Sequence, residues 1–266
     1  MKSNHLAHLL VKLLKSPIRR FLYRYGLRSY ETTESYRRII PAEITSGEFY
    51  SLVKEISGRN EVVTILEIGS SSGEGSTQAL LESISLRPTS EKKVFCLEIS
   101  KERFNKLAEY VSCDKRFIPL RMSSVSMSDF PTLDEVLSFH SKNFTNLSKI
   151  HQDTVKSWYR KDTQFLIENP EVFSGKNPKN PKSGAIQWIK RKYQIRYFDL
   201  VIIDGGEFTG LIELKQTFGA KYIALDDVNS FKSFEAHQYL LASSDYRLVS
   251  SNLNERNGWS VFSKVE

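Results

Sequence analysis

Apolar positions after residue 60 fall into short continuous runs separated by longer segments with helical spacing. The runs are VVTILEIG (62–69), KKVFCLEI (92–99), RFIPLRM (116–122), FDLVIIDG (198–205) and KYIALDD (221–227). Short apolar runs rich in β-branched residues are typical of strands buried on both faces of a parallel sheet. The pattern therefore predicts five parallel strands.

The intervening segments predict helices. Thr45 followed by Glu48 has the spacing of a capping box, which predicts a helix with Phe49 and Val53 on its apolar face. Ser100 is a suitable N-cap for the helix after the second strand. Further helices are predicted near 75–86, 183–194, 209–218 and 234–243.

The C-terminal pattern differs from the rest, because two alternating runs flank a turn. DYRLVSSN and GWSVFSKV predict an antiparallel hairpin across Asn257-Gly258 or a slightly longer loop. The whole order predicts an α/β fold: a doubly wound, mostly parallel sheet with a C-terminal hairpin. Ligands of such sheets bind at the carboxyl ends of the strands.

The first thirty residues carry a separate pattern. Leucines and aromatic residues recur every three or four positions, which predicts a basic amphipathic helix interrupted at Pro17. We assign residues 1–40 to an N-terminal arm and 41–266 to the main domain. The helix of residues 1–30 could lie on an anionic membrane, pack on the body or a second subunit of a homodimer, or serve as a transit peptide.

Charge separates the arm from the body. Residues 1–30 hold seven basic residues and no acid. These seven account for the whole excess of 38 Lys and Arg over 31 Asp and Glu, so the chain from Glu31 onward is formally neutral. A nucleic-acid-binding face across the body is therefore disfavoured.

Composition excludes several classes of protein. Of the 266 residues, 40% are hydrophobic and 12% aromatic, which suffices for a packed core and excludes a disordered chain. Cys96 and Cys113 cannot form a disulfide framework, so we expect a cytoplasmic, reducing environment. The sequence contains no stretch of eighteen apolar residues, so no transmembrane helix is predicted.

Glycines and acids occur where the first two predicted strands end. Gly69, Gly73 and Gly75 follow the first strand, and glycine permits close approach of a ligand to the backbone. Glu98 ends the second strand, where a carboxylate could accept hydrogen bonds from ribose hydroxyls. The glycine spacing differs from the dinucleotide fingerprint GxGxxG.

The stretch from Glu67 to Gly75, then Glu98, then FDLVIIDG and the terminal hairpin together resemble a class I S-adenosylmethionine-dependent methyltransferase. The resemblance covers roughly 45–125 and 185–266. It implies that Gly69, Ser71 and Gly73 surround the methionine end of the cofactor and that Glu67 supports that loop and its ammonium group. It further places Glu98 at the ribose, Ser123 or Ser124 beside the adenine, and Asp204 at the transferred methyl group.

Three carboxylates form a second constellation. Asp204 ends the fourth strand, and Asp226 and Asp227 end the fifth. Converging carboxylates repel unless a cation or a proton lies between them, and a divalent ion such as Mg²⁺ prefers oxygen ligands. The pattern is similar to metal-dependent O-methyltransferases of the catechol and macrocin types. In the alternative, Asp226 or Asp227 caps the following loop, with Lys232 as an ion-pair partner.

The chain departs from both types beside Asp204. Glu207 stands where the catechol type has a lysine base, and no histidine occurs in IDGGEF. We treat Asp204 and Glu207 as the catalytic candidates, with Glu207 as the base. His151 and Lys232 are further candidates for proton removal.

About 75 residues separate the third and fourth strands, and 126–182 forms a predicted helical insertion. It mixes aromatic with basic residues: Phe130, Phe139, Phe144, Trp158, Tyr159, Phe165, Phe173, Lys142, Lys149, Lys156, Arg160 and Lys161. We expect either a lid over a sugar, a nucleotide-linked sugar or another glycan, or a packing extension used in dimerisation.

The sequence thus favours methyl transfer from S-adenosylmethionine to a small molecule or glycan, at an oxygen atom. The alternative is a non-catalytic ligand-binding protein of the same fold, acting at a membrane surface. Nucleic-acid amino methylation is disfavoured because an Asn/Asp-Pro-Pro-aromatic motif is absent after the fourth strand.

Overall fold

The computed structural model describes residues 33–86, 91–142, 150–173 and 183–265. Within them, seven strands form one sheet of order β3-β2-β1-β4-β5-β7-β6. The strands are Thr64–Ile68 (β1), Lys93–Leu97 (β2), Phe117–Leu120 (β3), Leu200–Ile203 (β4), Tyr222–Asp226 (β5), Tyr246–Asn252 (β6) and Trp259–Lys264 (β7). The first five pair in parallel, whereas β7 is antiparallel to both β5 and β6.

Helices connect these strands. They are Glu48–Gly58 (α1), Ser76–Ser85 (α2), Lys101–Tyr110 (α3), Leu133–Lys142 (α4), Gln152–Glu168 (α5), Ala185–Tyr193 (α6), Gly210–Thr217 (α7) and Phe234–Ala242 (α8). Short 3-10 helices cover Thr33–Arg37, Met127–Asp129 and Pro170–Phe173. Both α4 and α5 lie between β3 and β4, in the predicted insertion.

The sheet is buried on both faces. Leu66 and Ile68 of β1 belong to one apolar cluster, while Ile65 of the same strand belongs to another on the opposite face. Adjacent side chains of a strand point to opposite faces, so a strand covered by helices on both sides must be apolar at nearly every position. This explains the continuous apolar runs and confirms the predicted doubly wound sheet and hairpin.

One helix start was predicted wrongly. The capping box required Thr45 to be the N-cap and Glu48 the third helical residue. Helix α1 instead begins at Glu48, after Gly47 with a φ of 96°, and no side chain caps it. The N-cap predicted at Ser100 is confirmed, because its hydroxyl accepts a hydrogen bond from the amide of Arg103 at 3.2 Å.

The amphipathic helix predicted in residues 1–30 lies outside the described residues. In the described part of the chain, no helix is long and apolar enough to cross a membrane.

Candidate functional site

The loop after β1 passes close to the end of β4. Gly69 has a φ of 89°, and a Cβ atom there would lie 2.0 Å from the carbonyl oxygen of Asp204. Gly73 has a φ of 92°, and Ser71 also adopts a positive φ, of 49°. Glycine avoids the steric cost of this backbone region. The loop between β1 and α2 therefore lies against the strand end that carries Asp204.

Glu67 braces this loop from within the core. Its carboxylate is fully buried and accepts hydrogen bonds from the hydroxyls of Ser70, Ser76 and Thr77, each at 2.6 Å. Three hydrogen bonds satisfy a buried carboxylate that would otherwise be costly. The part of the prediction that assigns Glu67 to a cofactor ammonium stays a prediction.

Glu98 lies at the end of β2 beside the same loop. Its side chain is only 6% exposed, and one carboxylate oxygen accepts a hydrogen bond from the amide of Ser100 at 2.7 Å. Burial raises the pKa of Glu98, although Arg103 and the backbone amides of Ser100, Ile99 and Ser71 oppose that shift. The carboxylate is thus held by backbone donors from both loops that border the strand ends.

Ser123 and Ser124 follow β3 and are both buried. The Ser124 hydroxyl donates to the Glu213 carboxylate at 2.5 Å, and the Ser123 hydroxyl donates to the carbonyl of Val125 at 2.9 Å. Both hydroxyl protons are therefore engaged within the protein. Contact of either residue with adenine stays a prediction.

The structure brings Asp204, Asp226 and Asp227 together. Each offers one carboxylate oxygen, and these oxygens lie within 4.8 Å of one another. The cluster is already paired with two cations of the chain. Lys232 Nζ lies 2.7 Å from Asp204 Oδ1 and 2.6 Å from Asp227 Oδ2, and Arg256 Nη2 lies 2.7 Å from Asp226 Oδ1.

The turn between β5 and α8 fixes Lys232. Asp227 has a φ of 57°, its carbonyl accepts from the amide of Ser230 at 3.0 Å, and the Ser230 hydroxyl accepts from the amide of Lys232 at 3.2 Å. A Cβ atom at Gly210 would lie 1.9 Å from the carbonyl oxygen of Lys232, so α7 begins directly against this turn. Lys232 is held in the site by its backbone as well as by its ion pairs.

Burial and neighbouring charges shift the pKa values of the three acids in different directions. Burial and the neighbouring aspartates raise the pKa of Asp204, while Lys232 opposes that rise. Burial also raises the pKa of Asp226. Burial acts in the same direction on Asp227, but Lys232 and Asn257 outweigh it and lower that pKa.

Glu207 lies at the same site, three residues after Asp204. Its side chain is half-buried, and among the described residues none donates a hydrogen bond to it. Burial raises the pKa of Glu207 to about 7; Lys232 opposes the rise, whereas Asp227 and Asp162 add to it. A carboxyl group with this pKa exchanges its proton near neutral pH, as a general base must.

The insertion packs over this end of the sheet. Phe208 and Phe231, which neighbour Glu207 and Lys232 in sequence, form an aromatic cluster with Tyr159 and with other insertion residues. Two histidines of the insertion, His140 and the proton-removal candidate His151, have structural contacts. His140 stacks on Phe231 and bonds to the carbonyl of Ile150, while His151 caps α5.

The remaining insertion aromatics also contribute to packing. Phe165 and Phe173 form a cluster with Tyr36 and Ile99, and Trp158 is buried in the Phe208 cluster. Phe144 and Lys149 lie outside the described residues. The aromatic side chains thus anchor the insertion to the body, and its role as a lid stays a prediction.

Sequence reasoning missed two contributors to the site. The Tyr36 hydroxyl donates to Asp162 at 2.7 Å, and its ring stacks on Phe165 at 4.0 Å, so the end of the segment assigned to the arm contacts the insertion beside Glu98. Arg256 pairs with Asp226. The hairpin pattern could have indicated Arg256, because the predicted turn beside this residue lies next to the end of β5.

Comparisons with known proteins bear on the fold alone. No protein-family model matches the chain, and no curated protein matches it. A putative O-methyltransferase from Klebsiella pneumoniae is 11% identical, with a TM-score of 0.50, over 99% of this chain and 96% of that one. The O-methyltransferase from Bacillus cereus in complex with SAH is 12% identical, with a TM-score of 0.47, over 94% and 97%. Together with the strand order, the first likeness shows that the chain has the fold of the class I S-adenosylmethionine-dependent methyltransferases.

Proposed function

We propose that the protein transfers a methyl group from S-adenosylmethionine to an oxygen atom of a small molecule or glycan. The observation that carries the proposal is the position of Glu98. A buried carboxylate at the end of β2, beside a glycine loop with two positive-φ glycines, can accept both hydroxyls of a ribose.

The cofactor fits the residues around Glu98. Gly69 and Gly73 let the loop pack closely on Asp204 and Tyr110 where a side chain would clash, and Glu67 keeps the loop in place through three hydroxyl donors. The start of α2 follows this loop, and its amides favour an anionic group such as the cofactor carboxylate. S-adenosylmethionine supplies a sulfonium-activated methyl group when bound.

The chain must then align the acceptor and remove its proton. Transfer forms an oxygen–carbon bond as the sulfur–carbon bond breaks, and the acceptor proton needs a base. Glu207 is our candidate, since its pKa lies near neutrality and it borders Lys232 at the same strand ends. Asp204 holds Lys232 in position through their 2.7 Å ion pair.

The choice of a small molecule or glycan rests on the insertion. Tyr159 of the insertion packs on Phe208, the residue after Glu207, and aromatic side chains suit the apolar faces of sugar rings. The body's neutral formal charge argues against a polyanionic acceptor.

Calorimetric titration with S-adenosylmethionine and with S-adenosylhomocysteine tests the cofactor assignment. We expect wild-type binding of both, and about 10- to 100-fold weaker binding by Glu98→Ala, because hydrogen bonds to a charged group contribute about 1.5–3 kcal/mol. The matched control is Glu102→Gln, an exposed acid four residues away on α3. Absence of wild-type binding, or equal affinity in Glu98→Ala and the control, would contradict the proposal.

A further inference from the structure

The acid cluster poses a question of charge balance. In metal-dependent enzymes of this fold type, a divalent ion would occupy the position that corresponds to Asp204, Asp226 and Asp227. In this protein the three carboxylates face two cationic side chains, Lys232 and Arg256, at distances of 2.6–2.7 Å. Three ionised carboxylates would exceed these two cations by one formal charge, and Arg256 also pairs with Glu255 at 3.2 Å.

A divalent ion does not fit this arrangement. Mg²⁺ requires oxygen ligands at about 2.0–2.1 Å in octahedral geometry. An ion bridging Asp204 and Asp227 would have to occupy the place of the Lys232 ammonium, which already contacts one oxygen of each. The ammonium has little freedom to leave, because the Lys232 side chain is only 16% exposed and its backbone lies against Gly210.

We propose that Lys232 is the resident cation of this site and that it takes the place of a divalent metal. Resting on the proposed function, we further assign its ammonium to hold the acceptor oxygen. An ammonium has three N–H donors. Asp204 and Asp227 accept two of them, which leaves the third for an oxygen atom positioned between Lys232 and Glu207.

This assignment changes the class of acceptor. A metal ion favours two vicinal oxygens that chelate it, whereas a single N–H donor needs only one. The acceptor therefore requires one hydroxyl or carboxylate oxygen next to Lys232, and a vicinal diol offers no advantage. Lys232 acts as a positioning group, and proton removal stays with Glu207.

Binding of Mn²⁺, followed by electron paramagnetic resonance without S-adenosylmethionine, tests the assignment independently of methyl transfer. We expect wild-type protein to leave the signal of free Mn²⁺ unchanged. Lys232→Ala should remove the competing cation and bind about one Mn²⁺ per chain. Adding Asp227→Asn to that variant should abolish the gained binding.

Thermal unfolding provides a second readout on the same variants. Mg²⁺ should raise the Tm of Lys232→Ala, because a ligand that binds only the folded state stabilises it, and should leave the wild-type Tm unchanged. The matched control is Lys221→Ala. Lys221 also pairs with an aspartate, Asp199 at 2.9 Å, but at the opposite end of the neighbouring strands.

Wild-type binding of Mn²⁺ that is lost in Asp204→Asn would overturn the proposal, and this result needs no lysine variant to fold. A folded Lys232→Ala that binds no Mn²⁺ and gains no stability from Mg²⁺ would also overturn it. If Lys232→Ala does not fold, Lys232→Gln replaces it with the same expected gain. Cofactor titration of the wild type separately decides the proposed function.

Discussion

Glu207 lies among charges of both signs. It is half-buried, it receives no hydrogen bond from the described residues, and it faces charges of both signs. Lys232 and Lys161 favour its charged form, whereas Asp227 and Asp162 disfavour it. Desolvation exceeds these effects, so the group titrates near neutral pH.

This pKa predicts how stability depends on pH. The folded-state pKa of Glu207 is about 7 against an ordinary value of 4.5, so between these values the folded state binds more protons than the unfolded state. Glu207 therefore lowers stability as pH rises from about 4.5 to 7. The unfolding free energy of Glu207→Gln minus that of the wild type should be about 1–3 kcal/mol larger at pH 8 than at pH 4, because the variant lacks the charge. Partial exposure of Glu207 keeps this gain below the value of the full pKa shift.

Urea denaturation of wild type and Glu207→Gln across that pH range measures the effect. Glu109→Gln, an exposed acid on α3, is the matched control and should track the wild type. A constant difference in unfolding free energy between Glu207→Gln and wild type at pH 4 and pH 8 would contradict the assigned pKa.

The acids of the site were predictable from the sequence, but their partners were only partly so. Glu98, Asp204 and Asp226 directly follow apolar runs, and the strand period fixes where each run ends. Lys232 reaches Asp204 from 28 residues away through a turn with a positive φ at Asp227. The tertiary contacts of a loop side chain leave no periodic pattern in the sequence. Lys232 was therefore predicted as an ion-pair partner of Asp226 or Asp227 only, and not of Asp204.

At the scale of elements, α7 is the helix that locks the Lys232 turn. Its first residue, Gly210, is buried, and the missing side chain lets the carbonyl of Lys232 approach. We expect Gly210→Ala to destabilise the protein by about 1–3 kcal/mol, as overpacking usually does, despite the better helix propensity of alanine.

Gly206→Ala is the matched control, because the nearest atom to its added Cβ, the Thr209 hydroxyl oxygen, would lie 3.4 Å away. That substitution should be neutral or slightly stabilising. Urea midpoints at constant m-value provide the comparison. Equal midpoints for the two variants would show that α7 does not hold the turn.

Element boundaries were predictable where burial is uniform and less so where backbone geometry decides. All five parallel strands lie within two residues of their predicted ends, and helices cover both faces of the central ones. The start of α1 was misplaced because Gly47, at a φ of 96°, precedes the helix. β3 was placed as well as the other strands although it contains Pro119, which lacks an amide donor and is tolerated at a sheet edge.

At the scale of the whole molecule, topology brings together residues far apart in sequence. Parallel strands in the order β2-β1-β4-β5 align their carboxyl ends, so Glu98 and Asp226 share one edge of the sheet. The insertion and Tyr36 then cover this edge from two directions. Their hydrogen bond, between Tyr36 and Asp162, joins residues 126 positions apart in the sequence. Alignment of strand ends follows from element order, whereas the covering contacts depend on side-chain fit between distant segments.

The division of charge also belongs to the whole molecule. Seven basic residues precede Glu31, and the remainder of the chain is formally neutral. Each basic residue near an anionic bilayer contributes about 1 kcal/mol to binding. If the arm binds membranes, affinity should depend on where the basic residues are and not on the net charge alone.

Co-sedimentation with vesicles containing phosphatidylserine can separate these two dependences. One variant changes five arm residues to Gln: Lys12, Lys15, Arg19, Arg20 and Arg24. Its matched control changes five exposed body residues to Gln: Lys101, Lys106, Lys115, Lys142 and Arg160. Both lose the same formal charge.

We expect the arm variant to bind at least about a hundredfold more weakly than wild type, and the control to retain most of its affinity. Added salt should weaken the wild-type binding, since it screens exposed charges. Equal losses in the two variants would mean that net charge governs binding, and the arm would then have no specific role at a membrane.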